Sequence, residues 1–288
     1  MINIKDLSLF TLAVFCAISV NLAYAYGPPG AFERDLIRAA SDGNVFRVTQ
    51  LLASGVDGNA RNEFGATAII AASQNGHPEV VQALIDKGVD VNVKTREGAT
   101  ALLLAAAYDH LDVARALVVA RANSNAKDED GTTPLMYACG TGNLNMARLL
   151  LNARADVNAK TENGGTALML AAKNGQGELV RLLLDTKAEV NATANGGATA
   201  LMLASREGHR DVVQRLLSAH ADINAKTTDG TTSLMLASRE NRKDVVQTLL
   251  IWRADGRAQR KDGATALTLA SQNGCREVIK LLVDHGLR

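Results

Sequence analysis

Aromatic residues make up only 3% of this 288-residue sequence, which has one tryptophan, four prolines and three cysteines. A chain so poor in large rings, and rich in alanine and leucine, suits many short helices in close contact, with small residues where they touch. An excess of charge of one sign is also missing, since 31 Lys and Arg against 30 Asp and Glu leave +1. A nucleic-acid partner needs a clustered basic face, and nothing in this balance provides one. Long apolar runs are absent too. The longest, Leu7 to Val20, falls short of the ~20 residues that span a bilayer comfortably. No phosphate-binding loop, dinucleotide fingerprint or nucleophile elbow occurs.

The apolar run follows a short polar start containing Lys5 and leads to Ala23-Tyr24-Ala25, then Tyr26-Gly27-Pro28-Pro29-Gly30. A charged start, an apolar stretch and a small-x-small site describe a secretory signal peptide, here 1–25, cleaved after Ala25. Residues 26–31 then form a short linker. The competing reading is an uncleaved N-terminal anchor. Lipid attachment at Cys16 is disfavoured by the bulky Val14-Phe15 before it. The mature chain is expected in the periplasm or outside the cell, with no membrane span after cleavage.

What the sequence does have is a period. Thr67, Thr100, Thr133, Thr166, Thr199, Thr232 and Thr265 stand 33 residues apart, each preceded two positions earlier by glycine and followed five later by alanine. A strict period of this length marks stacked repeats. Threonine can cap a helix by accepting a backbone N–H bond, and proline suits the next position, as Pro134. Apolar residues follow at helical spacing, for example Leu201 to Ala204. Glycines such as Gly76, Gly142, Gly175, Gly208 and Gly274 stop this first helix. A second helix opens on an acid (Glu79, Asp112, Glu178, Asp211, Asp244, Glu277), which complements its dipole. Arg115, Arg181 and Lys280 stand three residues on, in pairing reach.

With its Thr-Ala-Leu or Thr-Pro-Leu-Met starts, as Thr133-Pro134-Leu135-Met136, this unit resembles the ankyrin repeat over about residues 32–288. The resemblance implies an all-α ankyrin-repeat solenoid of eight 33-residue helix-turn-helix-loop units. Residues 32–64, with Arg34 in the threonine column, form an N-terminal cap. Residues 65–288 supply seven repeats, the last ending after its second helix. One column departs from the family: the glycine after the second helix survives at Gly55, Gly88 and Gly286. Elsewhere it is Arg121, Arg154, Lys187, His220 or Arg253. These basic residues are expected in a strained left-handed conformation. They either compensate the helix dipole or form a ladder for an acidic partner. Asn59, Asn92, Asn125, Asn158, Asn191 and Asn224 read as structural loop asparagines. Asn191-Ala192-Thr193 also spells a glycosylation acceptor, against which its place in that column argues.

Little here suggests chemistry. His77, His110 and His209 share one turn column, and the five histidines show no metal-ligand spacing. Met136, Met169, Met202 and Met235 read as core filler rather than a metal or haem site. Cys139 and Cys275 lie four repeats apart, beyond disulfide reach. Cys139 fits a small buried column, and Cys275 replaces a mostly histidine column with expected partial exposure. No catalytic, cofactor or metal residue is assigned. In the family, partners dock on loop tips and the concave face of the first helices. The candidate anchors on those positions are Phe64, Arg96, Tyr108, Arg206 and Arg239. Trp252 either covers the loop beneath it or anchors a contact. The expected partner is a protein, bound by a monomeric chain. Its class is open, with a host protein or an exported enzyme as alternatives.

Overall fold

The computed structural model describes residues 30–287. The leader and cleavage site expected over 1–25, and the linker up to residue 29, lie outside the described residues. Among the described residues regular structure is helical, with sixteen α-helices in eight consecutive pairs, one 3-10 turn and no strand. They form two compact units, one ending at Asp156 and one beginning at Val157.

The first unit holds α1 (Ala31–Ser41) with α2 (Val45–Ala53), α3 (Ala68–Asn75) with α4 (Pro78–Asp86), α5 (Ala101–Ala107) with α6 (Leu111–Val119), and α7 (Pro134–Thr141) with α8 (Leu144–Asn152). The second holds α9 (Ala167–Lys173) with α10 (Gly177–Asp185), α11 (Ala200–Glu207) with α12 (Arg210–Ser218), α13 (Ser233–Arg239) with α14 (Lys243–Ile251), and α15 (Ala266–Gln272) with α16 (Arg276–Asp284). Within each unit the first helices of the pairs pack in series, and the second helices pack in series beside them. Helices of two to three turns are marginal alone. They persist because residues such as Leu102, Leu103, Val80, Val81 and Leu84 are buried completely or nearly so between neighbours. Each such side chain contributes roughly 1.5–3 kcal/mol.

Every threonine of the period is the N-cap of a first helix. Six of them accept the backbone N–H three residues on, at 3.2–3.4 Å. Thr67 caps through its backbone alone, and its buried hydroxyl has no partner. The N-terminal repeat departs from the rest: α1 starts at Ala31, so Arg34 lies inside the helix instead of capping it. This repeat also leaves Phe32 and Phe46 exposed, so it is less polar than a solvating cap requires. Of the expected i,i+3 pairs only Arg181–Glu178 forms, at 3.8 Å. Glu277 turns instead to Lys243 of the preceding repeat, at 2.8 Å.

The turn between paired helices is left-handed in every repeat. Its residue is Gly43, Gly76, Asp109, Gly142, Gly175, Gly208, Asn241 or Gly274, with φ from 56° to 91°. One residue further on, the imidazole Nε2 of His77, His110 and His209 donates to a carbonyl of the preceding repeat, at 2.9, 3.0 and 2.9 Å. Each ring lies where a Cβ on the preceding glycine would stand, 2.5–2.6 Å from such an atom on Gly43, Gly76 or Gly175. The two non-glycine residues, Asp109 and Asn241, occur where the next repeat has Asn143 or Cys275 in place of the histidine. Cys275 is buried, contrary to the exposure expected of it, because this column lies under the preceding repeat's carbonyls. Its Sγ is 3.8 Å from that of Arg239. Cys139 is buried as expected, which pushes its thiol up to about 12. Both cysteines are free.

The glycine is therefore needed for space as well as for backbone freedom. Gly175→Asn should destabilise the fold by about 1–3 kcal/mol through overpacking. Asn241→Gly should stay within about 0.5 kcal/mol of the parent. Urea unfolding of Gly175→Asn combined with His209→Ala checks the cause: removing the ring should recover much of the loss, and an additive result would contradict the steric account.

Candidate protein-binding surface

After the second helix of each of the first six repeats the chain enters a loop whose asparagine reaches the following repeat. The amide oxygens of Asn59, Asn92, Asn125, Asn158, Asn191 and Asn224 accept the backbone N–H thirty-one residues on, at 2.7–2.8 Å. Asn125, Asn158 and Asn191 also donate through Nδ2 to the carbonyls of Arg154, Lys187 and His220. Both ends of the Asn191 amide are thus occupied, consistent with a structural role.

Each loop then rises to a tip closed by its own side chain. Asn62, Thr95, Asp128, Thr161 and Thr227 accept the N–H four residues on, at 2.8–3.1 Å. Ala194 has no acceptor to offer, and there the tip becomes the 3-10 turn Asn195–Gly197, with Gly196 and Gly197 both left-handed. Neighbouring tips are joined in rows. Arg96 N–H donates to the Phe64 carbonyl (2.9 Å) and Glu129 N–H to that of Glu97 (3.3 Å). In the second unit Asn195, Thr228 and Lys261 donate to Asn163, Gly196 and Asp229. Tip side chains are thereby held in line by the backbone.

The candidate anchors fall in two groups. Phe64, half-buried, and Arg96, exposed, stand on adjacent tips of the first unit. Tyr108 caps the end of α5, the helix that follows the Arg96 tip, with its ring stacked on His110 at 6.3 Å. Arg206 and Arg239 end α11 and α13 in consecutive repeats of the second unit. Each folds onto the next residue, Glu207 at 2.7 Å and Glu240 at 2.9 Å. The Arg206 side chain is only 15% exposed, so its charge is largely spent within the fold. Asn75 is similarly engaged, donating to the carbonyl and hydroxyl of Ser41. Trp252 caps the end of α14 and is 44% exposed, beside the exposed Ile251.

One feature of the tips escapes a reading by type alone. The Tyr137 hydroxyl donates to Asp128 Oδ2 at 2.7 Å. Tyr137 stands where the other threonine-capped repeats have alanine or leucine, and Asp128 where they have mostly asparagine or threonine. Burial raises the Asp128 carboxyl above its ordinary value of 3.8, against hydrogen bonds from Tyr137 and from the Thr132 backbone. At the second unit's Asp229 burial pushes the same way, but hydrogen bonds from Thr227 and Thr231 and the charge of Arg260 bring the carboxyl below its ordinary value.

The basic column is left-handed throughout, with φ of 63–71° at Arg121, Arg154, Lys187, His220 and Arg253, all exposed. A Cβ on Gly55 or Gly88, in the same column, would meet nothing within 4 Å, so the cost of a side chain here is conformational and not steric. Asp156, Glu189, Asp222 and Asp255 follow two residues behind four of the five, so the ladder carries little net charge.

Two outcomes follow. Lys187→Gly should raise stability by up to about 1 kcal/mol by relieving the strain, whereas Lys187→Ala should give no such gain. Asp128 binds its proton more tightly folded than unfolded. Its contribution to stability therefore grows as pH falls from neutral through the raised folded value, and levels off below about 3.8. Asp128→Asn should remove that pH dependence and stabilise the neutral-pH protein by roughly 0.5 kcal/mol after allowance for solvent screening. Melting temperatures across this pH range check it, and a variant that is less stable at pH 7 would contradict the reading.

The family model for ankyrin repeats (three copies) matches residues 36–128, 117–194, 153–227 and 201–288. No curated protein matches the chain. Among the described residues no helix is long and apolar enough to cross a membrane. Ankyrin repeats indicate a protein–protein interaction scaffold. With paired helices, threonine caps and tip loops in phase across the matched residues, the chain belongs to the ankyrin-repeat family.

Proposed function

We propose that this chain is a non-enzymatic scaffold that binds a partner protein in the periplasm or outside the cell, through its loop tips and first-helix ends. The observation that carries this reading is the division of labour among columns. The recurrent threonines, asparagines and turn glycines are spent on helix caps and inter-repeat bonds, while the tips and first-helix ends are among the positions that differ between repeats. Function concentrates on such loops over a fixed frame. The titrating groups with shifted values, Asp128, Cys139, Asp229 and the Lys243–Glu277 pair, are spread over different repeats and do not converge as a catalytic set would. The leader over 1–25 supports export.

Photo-crosslinking amino acids placed at Phe64, Arg96, Tyr108, Arg206 and Arg239 of the full chain in its native cells test the surface. Gln82 and Gln247, exposed on second helices, serve as controls. Crosslinks to one protein from the tip and first-helix positions are expected. Equal capture from the controls, or capture only from them, would refute this surface. Mass analysis of the recovered chain should find its first residue to be Tyr26, and a chain retained with Met1 in the cytoplasm would overturn the localisation.

A further inference from the structure

Five asparagines are followed directly by glycine: Asn75, Asn163, Asn174, Asn195 and Asn273. In such a pair the glycine's backbone nitrogen can attack the asparagine side-chain amide, because no Cβ hinders its approach. The reaction needs that N–H free of an acceptor and the side chain free to turn. The fold withholds these conditions from four of the five pairs. Gly76 N–H donates to the Ala72 carbonyl at the end of α3. Gly164 N–H donates to the Thr161 carbonyl at 2.9 Å, Gly175 N–H to that of Ala172 at 3.4 Å, and Gly274 N–H to that of Ser271 at 3.1 Å. The side-chain amides of Asn75 and Asn273 are held as well, on Ser41 and on the Leu269 carbonyl.

Asn195–Gly196 differs from the other pairs, and Ala194 is the reason. At two tips of the first unit the corresponding residue closes the loop with two bonds. Asn62 Oδ1 accepts the N–H of Phe64 as well as that of Ala66, and Asp128 Oδ1 accepts those of Asp130 and Thr132. Ala194 has no side-chain oxygen. The N–H of Gly196, in the Phe64 position, therefore has no acceptor among the described residues. Asn195 is exposed, and Gly196 is left-handed at φ 83°. Register within the tip is decisive. Asn163–Gly164 is the same dipeptide one position later in its own tip, so its N–H makes the turn bond that Gly197 makes to Ala194 here. Asp57 and Asp255 also precede glycine. Their Oδ1 atoms accept the N–H two residues on, and a carboxylate resists attack by nitrogen.

We propose that Asn195–Gly196 is a site of spontaneous deamidation, which the fold leaves open while protecting the other four pairs, and that conversion uncouples this tip from its neighbours. A hydroxide ion takes the Gly196 amide proton, and the nitrogen bonds to Asn195 Cγ. The Cγ–Nδ2 bond breaks, and ammonia leaves with a proton from water, which restores the hydroxide. The product is a cyclic succinimide. Water then opens the ring at either carbonyl, breaking one C–N bond, and leaves aspartate or isoaspartate. Nothing is oxidised or reduced. In isoaspartate the main chain runs through Cβ and Cγ and is one carbon longer. Asn195 N–H donates to the Asn163 carbonyl at 2.8 Å, and the Gly196 carbonyl accepts from Thr228 N–H at 2.9 Å. The added carbon falls between these two bonds, so the lengthened tip cannot keep both. The reaction needs no partner and stands apart from the scaffold reading.

The test incubates the full mature chain in warm, mildly alkaline buffer and maps its peptides by mass spectrometry at intervals. Fragmentation across the Cα–Cβ bond tells isoaspartate from aspartate. In the folded chain Asn195 should convert at least about fivefold faster than Asn75, Asn163, Asn174 or Asn273, the rate equivalent of one net backbone hydrogen bond. In urea the five rates should converge, because the dipeptide is then the same everywhere. Ala194→Asn supplies the missing acceptor without touching the reacting pair and should slow conversion at Asn195 by a similar factor. Thermal melts confirm that this variant folds. Conversion at Asn195 no faster than at the other four, a preference that persists in urea, or no slowing in folded Ala194→Asn would each overturn the site. Hydrogen exchange reads the consequence. The Thr228 amide should exchange faster in the isoaspartyl chain and at the parent rate in Asn195→Asp, which adds the charge on a normal backbone. Parent-like exchange in the isoaspartyl chain would overturn the uncoupling.

Discussion

One amide oxygen in each of the first six repeats, 2.7–2.8 Å from a backbone N–H thirty-one residues on, sets the register between neighbours. The apolar faces of short helices would tolerate sliding, since hydrophobic contact is non-directional. A hydrogen bond from a loop side chain to the next loop's backbone does not tolerate it. Once Asn158 holds the N–H of Glu189, the tips at 163 and 195 fall into backbone contact, and His209 reaches the carbonyl of Lys173. Net gains of about 1 kcal/mol per bond are small singly. Repeated along each unit, they convert a loose stack of helices into an ordered row of tips.

Neighbouring repeats also adjust to one another in volume. A Cβ on Gly58 would lie 2.7 Å from Val89, and one on Gly256 would lie 2.4 Å from Leu287. In the repeats between, the glycine position is Val91, Ser124, Val157, Val190 or Ile223, and the facing column is alanine: Ala122, Ala155, Ala188, Ala221 and Ala254. Except at Ser124 with Ala155, small thus stands opposite large in either order, keeping the summed volume of the pair roughly constant, as close packing demands. The glycine–histidine pairs of the helix turn obey the same rule. Each repeat is fitted to its neighbour, so repeats are not interchangeable even where their consensus agrees.

This fitting explains what could and could not be read from the chain. The caps at Thr100 to Thr265, the loop asparagines and the left-handed basic column were legible because each depends on local backbone geometry that recurs every 33 residues. Thr67 shows the limit, since a cap's hydrogen bond depends on a rotamer as well as on position. The partners of the asparagines were not legible, because a contact thirty-one residues away exists only once repeats are stacked. Cys275 is buried against expectation for the same reason: its burial comes from the repeat before it. Lys243 displacing Lys280 as the partner of Glu277 is a third case. At the surface, the tips were visible as variable loops, and Phe64 and Arg96 are indeed brought together. The Arg206–Glu207 and Arg239–Glu240 pairs show why residue type alone overstates availability. Tyr137, which departs from a mostly leucine column beside the unusual Asp128, carries a signal in the sequence that residue type alone does not convey.

A stack stabilised by nearest neighbours separates fold from function more cleanly than a single core does. In a globular enzyme a strained or desolvated residue at the site draws on the same core that holds the fold. Here a tip is tied to the next tip by one backbone bond, and its side chains carry no helix packing. Asp128 can therefore hold a half-buried charge, and Glu97 an unpartnered oxygen, while the loop asparagines and the caps from Thr100 to Thr265 keep their hydrogen bonds. The five basic residues in left-handed turns are the contrasting case: they also bear a conformational cost, but acids two positions on offset their charge and the loop asparagines hold the carbonyls of Arg154, Lys187 and His220. A local cost accompanied by local compensation belongs to the structure.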